Sequence, residues 1–109
     1  MDGREERVAR NETTSREINE GIEEAHDDAP PDQHLRMLCE CGHDTCERLI
    51  AITGAEYDRI RSDPRRFAVI REHVISDVED VVEETDRFVV VMKRDGIPAD
   101  VAIEEDPRS

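Results

Sequence analysis

The chain has 109 residues, with 29 Asp and Glu against 15 Lys and Arg, a formal net charge of −14. That length fits one domain. The charge opposes binding to nucleic acid or to anionic membranes, which carry the same sign, and no stretch approaches the roughly 18 consecutive apolar residues that a spanning helix needs.

Taken in order, residues 1–29 are strongly acidic and read as a helix over about 4–24. Ile18, Ile22 and Ala25 fall at i, i+4 and i+7, predicting one short apolar stripe that packs on the rest of the chain. No apolar run of the secretory type occurs among the first 25 residues. Ala29-Pro30-Pro31-Asp32 ends this helix and forms a linker. Residues 35–39 read as a strand and 46–52 as its returning partner. Thr53-Gly54-Ala55-Glu56 is a capping box that opens a helix carrying Tyr57 and Ile60 and stopping before Pro64. Tyr57 is expected in the core. Residues 67–70 read as a third strand and 71–75 as a loop containing His73.

Ser76-Asp77-Val78-Glu79 has the form of a second capping box. It predicts a helix to about residue 85, with Val78, Val81 and Val82 at helical spacing. The β-branched content makes a strand the competing reading, and the cap and the intervening acids weigh for helix. Residues 87–93 are the clearest strand, and their nearly unbroken apolar run predicts a central, buried position. Asp95-Gly96 turns the chain, and 97–109, with Pro98 and Pro107, is expected to be a disordered polar tail. The predicted order is α-β-β-α-β-α-β, a small α+β domain with helices on one face of a mainly antiparallel sheet.

All three cysteines lie in Cys39-Glu40-Cys41-Gly42-His43-Asp44-Thr45-Cys46, the turn between the first two predicted strands. A Cys39–Cys41 disulfide would close a very small, strained ring, and any pairing leaves one thiol over. Zinc seeks about four soft ligands in a tetrahedron. A C-x-C pair followed by a third Cys places three thiolates around one ion, with Gly42 allowing the tight backbone. The fourth ligand is drawn from the histidines, in the order His73, His43, His34. The chain has three aromatics, Tyr57, Phe67 and Phe88. So thin a core calls for a staple, and a structural zinc supplies one. The chain then divides into an acidic helical segment over 1–29, a zinc-stapled domain over 30–94 and a tail over 95–109.

Leu38-Cys39-Glu40-Cys41-Gly42-His43-Asp44-Thr45-Cys46, followed by Glu47-Arg48-Leu49-Ile50, resembles a family of short uncharacterised bacterial proteins, mainly actinobacterial. Their mark is an F/L-C-E-C-G-x-x-x-C-x-E core. The resemblance runs over roughly residues 11–93, through Glu56-Tyr57, Asp63-Pro64-Arg65-Arg66-Phe67, the Glu72-His73 region and Val89-Val90-Val91. Members carry a histidine that matches His73, usually in a Pro-Gly-His turn where this chain has Arg71-Glu72-His73-Val74. The resemblance implies His73 as fourth ligand, a fold and a metal site, and no function.

Arg59, Arg61, Arg65, Arg66 and Arg71 form the one local basic concentration. With so acidic a chain they read as ion-pairing partners of Asp58, Asp63 and Glu72 rather than as a phosphate contact. Glu40 beside two cysteines lacks the H-x-E and P-C-x-x-C context of a zinc deaminase, and no phosphate-binding glycine loop is present. The reading is therefore a small non-enzymatic zinc protein of the reducing cytoplasm. Its acidic surface suits a basic protein partner, and its role is that of an interaction or regulatory module. The alternative is a thiol redox sensor built on Cys39, Cys41 and Cys46.

Overall fold

The computed structural model describes residues 3–43 and 45–108, so Asp44 of the cysteine turn lies outside the described residues. The elements are helix α1 (Arg4–Ala25), strands β1 (His34–Leu38) and β2 (Leu49–Thr53), helix α2 (Gly54–Ile60), strand β3 (Arg66–Val69), a 3-10 turn (Arg71–His73), strands β4 (Glu79–Glu84) and β5 (Val89–Lys93), and helix α3 (Ile97–Glu104). The molecule is a small α+β protein with two antiparallel sheets, the hairpin β1-β2 and the three-stranded β3-β5-β4.

The hairpin pairs His34 with Thr53 through Leu38 with Leu49, and Cys39 N–H extends its ladder by donating to Arg48 O at 2.9 Å. Its ten-residue connection is the cysteine turn. Alternation along β1 and β2 buries Leu35, Met37, Ile50 and Ile52 on one face. The Thr53 hydroxyl accepts from Glu56 N–H and the Glu56 carboxylate accepts from Thr53 N–H, the reciprocal capping box expected of this sequence. Arg87 clamps the same carboxylate and holds its pKa down to about 2. Strand β5 is central in its sheet, and Val89, Val90 and Val91 are buried with Phe67, Val69, Ile60 and Tyr57 in one core. Each large side chain buried there contributes about 1.5–3 kcal/mol.

Two sequence expectations are corrected. The helical element after β3 is the 3-10 turn at 71–73, and the predicted helix over 76–85 is strand β4. The valines settle it, because an extended backbone lets β4 pair along β5, with a bulge between Val81 and Glu83. The apparent second capping box does not form as such: Ile75 N–H, one residue before Ser76, donates to a Glu79 oxygen at 2.9 Å. Its other oxygen takes the Lys93 ammonium, which fixes Glu79 in register opposite Lys93. The expected disordered tail instead contains α3. Gly96, at φ +144°, makes the entry a side chain would strain, Pro98 sits in the first turn where no N–H is missed, and Pro98, Ala99 and Ala102 are buried, with the helix packed beside α1.

Helix α1 packs on the domain through a different face from the one expected. Val8, Ala9, Glu12, Arg16 and Asn19 are its buried residues, whereas Ile18 is 47% exposed and only Ile22 of the predicted stripe reaches the core. The docking face is largely polar, so apolar periodicity could not reveal it. Arg16 lays its guanidinium 3.7 Å from the Phe67 ring centroid and donates to Pro64 O and Arg66 O. Glu12 and Glu79 share the buried ammonium of Lys93. Burial pushes the Glu12 carboxyl up to about 7, against the pull of that ammonium.

Candidate metal centre

Two chain reversals bring four donors together. The hairpin turn supplies Cys39, Cys41 and Cys46, and the 3-10 turn that follows β3 supplies His73. The ligand atoms of these four residues all lie within 4.8 Å of one another. His73 Nδ1 stands 3.3 Å from Cys46 Sγ, 3.4 Å from Cys41 Sγ and 3.8 Å from Cys39 Sγ. All three cysteines are free thiols, Cys39 and Cys41 buried and Cys46 half-buried. The group is a possible metal-binding site.

The local backbone explains the convergence. Beyond the hairpin ladder the chain crosses to β3, where Glu40 N–H donates to Ala68 O at 2.8 Å and Ile70 N–H donates to Cys39 Sγ at 3.2 Å. This aligns the turn with the end of β3, one residue before the 3-10 turn. His73 N–H donates to Ile70 O and closes that turn. Backbone amides of His43 and Arg48 likewise serve Cys41 and Cys46, so each sulfur receives its own N–H donor. Such donors favour the thiolate form.

The three thiols shift one another's pKa in opposite directions. A hydrogen bond from the Cys39 thiol draws the Cys41 pKa down to about 5, and the same bond raises Cys39 above the usual thiol range. Burial raises Cys46.

Glu40, between two of the cysteines, is fully buried and fully engaged. Its carboxylate accepts from Tyr57 Oη at 2.7 Å, from Asn19 Nδ2 at 3.0 Å and from Ala68 N–H at 3.2 Å. It ties the turn to α1, α2 and β3 at once. This role was not visible in the sequence, because its three donors lie 17 to 28 residues away along the chain. Tyr57 occupies the core as expected, with its hydroxyl spent on Glu40.

Of the three candidate histidines, only His73 belongs to the cluster. His43 is exposed and packs its ring 4.7 Å from that of His73. His34 is exposed at the far end of β1, opposite Thr53. Four of the five arginines of the basic run near α2 form ion pairs: Arg59 with Glu83, Arg61 with Glu20 and Asp106, Arg65 with Asp63, and Arg71 with Glu84. Only Asp63 among the expected partners is used by this run.

No protein-family model matches the chain, and no curated protein or solved structure matches it. Among the described residues no helix is long and apolar enough to cross a membrane.

Proposed function

We propose that the chain is a small zinc-stapled interaction module of the reducing cytoplasm, without catalytic activity, whose acidic surface receives a basic protein partner. One observation carries the zinc assignment: the three His73 Nδ1 to sulfur separations of 3.3, 3.4 and 3.8 Å. With Zn–S near about 2.3 Å and Zn–N near about 2.05 Å, the S···N edge of a regular tetrahedron is about 3.6 Å. The donor set fits in chemistry as well as in spacing, since three thiolates and one imidazole favour zinc over the harder divalent cations. Four protein donors complete the tetrahedron, which supports a structural role over a catalytic one, because catalytic zinc keeps a position for water. The engagement of Glu40 by three donors supports the same reading, as it leaves that carboxylate no proton-transfer task. The zinc would join the hairpin to the end of β3, which no covalent link does. Membership of the short actinobacterial C-E-C-G family is part of this proposal.

Cobalt substitution tests it. Titration of the reduced, metal-stripped protein with Co(II) is expected to saturate at about one equivalent, with the strong visible absorption of tetrahedral cobalt and thiolate charge-transfer bands. Small anions such as azide should leave the spectrum unchanged, and His73→Ala should alter it. A weak octahedral spectrum would contradict the site, and an azide-sensitive one would contradict its closed, structural character.

A second reading, a thiol redox sensor that sheds its metal on oxidation, is favoured by one observation. Cys46 is the half-buried ligand of the three and offers an oxidant its point of attack.

A further inference from the structure

We infer that the metal centre is also the latch of helix α1, so that metal occupancy sets whether this helix is docked or free. The inference rests on the proposed zinc site and extends it from a staple to a regulatory device. Its ground is where α1 is anchored. Asn19 grips the backbone of Leu38 in both directions, donating from Nδ2 to Leu38 O at 2.9 Å and accepting Leu38 N–H on Oδ1 at 2.7 Å, and it also donates to Glu40. Asn11 Nδ2 donates to Gly42 O at 3.0 Å. Gly42 lies directly under Val8, so close that a Cβ on residue 42 would stand 2.4 Å from Val8 Cγ1.

These anchors all fall on residues 38–42, the segment that holds the ligands Cys39 and Cys41. The backbone path they require is the path that a metal ion bridging to His73 would fix. Without the ion the turn keeps its hydrogen bonds and the core packing of Cys39 and Cys41 but loses its tie to His73, and three of the helix's contact points lose their rigid seat. The anchors that remain lie away from the turn: Arg16 on the backbone of β3, Glu12 on Lys93, Glu20 on Arg61 and Arg108, Glu23 on Arg108, Ile22 against the core, and the packing beside α3.

The chemistry of the docking face makes release practicable. Three of its five buried residues are Glu12, Arg16 and Asn19, and the other two are Val8 and Ala9. A helix whose buried face is mostly polar carries little apolar surface of its own into water, although its departure uncovers the Phe67 ring beneath Arg16. The central strand depends on the turn less than α1 does. Val89, Val90 and Val91 lie in the central strand, hydrogen-bonded on both sides. Opening is therefore local, in the low-stability part of the molecule.

Hydrogen–deuterium exchange read by mass spectrometry tests the latch on the full chain. The samples are zinc-loaded protein, the same protein stripped by a chelator under reducing conditions, and zinc-loaded Asn19→Ala. Stripping is expected to speed exchange in peptides over residues 8–22 by at least about tenfold while peptides over 88–93 change less than about twofold. Asn19→Ala is expected to speed exchange over 8–22 by at least about tenfold with zinc still bound, since it deletes several buried hydrogen bonds together. Unchanged exchange over 8–22 in either sample overturns the latch, and so does an equal rise in both regions on stripping. Elemental analysis of each sample separates the two failures. Zinc bound with an indifferent helix overturns the latch alone, and a chain that takes up no zinc overturns the metal centre and the latch together.

Discussion

Cys41→Ser is expected to lower the melting temperature by at least about 10 °C relative to the zinc-loaded wild type, and to make it insensitive to chelator. Cys41 is buried at the centre of the donor group, its sulfur 3.4 Å from His73 Nδ1. A serine hydroxyl at that position is a poor zinc ligand, so three donors remain where four are needed. Structural zinc sites contribute on the order of 10 kcal/mol to folding of the smallest domains. Here the central strand β5 is hydrogen-bonded on both sides, so the expected loss is the part that orders the hairpin turn and seats α1. A loss of about 3 kcal/mol corresponds to about 12 °C for a domain near this size. The check is thermal unfolding followed by circular dichroism, with and without chelator. A wild type whose transition ignores the chelator, or a Cys41→Ser protein that still responds to it, would contradict the staple.

Arg16→Ala is expected to cost about 3–5 kcal/mol without touching the metal site. Arg16 is 1% exposed, and burial lowers its pKa from the usual guanidinium value. One guanidinium serves two acceptors, with Pro64 O at 2.6 Å, and also covers the Phe67 ring. Truncation leaves two part-buried carbonyls without their donors, exposes the aromatic face and removes a planar group that no neighbour replaces. Arg16→Lys should recover part of the loss, since an ammonium reaches a carbonyl but cannot span both as the fork does. Urea unfolding reads this as a lower midpoint at an unchanged slope. A cost below about 1 kcal/mol would show that the α1 docking face is not held as described.

Both residues bear on what the sequence made legible. The cysteine turn was readable because its donors are nearly contiguous, and because a hairpin on either side of it follows from two short apolar runs. Among the histidines the sequence ranks His73 first, and it is the one that the 3-10 turn after β3 carries to the sulfurs. The capping box at Thr53, the central place of β5 and the helix at the N-terminus were equally local signals. The segment 76–85 misled because a box motif is a local hint, whereas the pairing of Glu79 with Lys93 and of Val81 with Val91 is tertiary. The tail misled through its charges, although Pro98 with the small residues Ala99 and Ala102 carries a helix-start and packing signal. The docking face of α1 was unreadable for a deeper reason. Its Glu, Arg and Asn look like any solvated helix face until the chain supplies Lys93, two backbone carbonyls and the Leu38 backbone as partners 19 or more residues away.

The central claim is that Cys39, Cys41, Cys46 and His73 hold one zinc ion between the hairpin and the end of β3. Its most direct test is the metal content of the purified, reduced protein by elemental mass spectrometry, beside a His73→Ala variant. One zinc per chain in the wild type, with retention after competition by a chelator reduced at least about a hundredfold in the variant, is the predicted result. A wild type free of metal, or a variant that keeps its zinc as tightly, would contradict it.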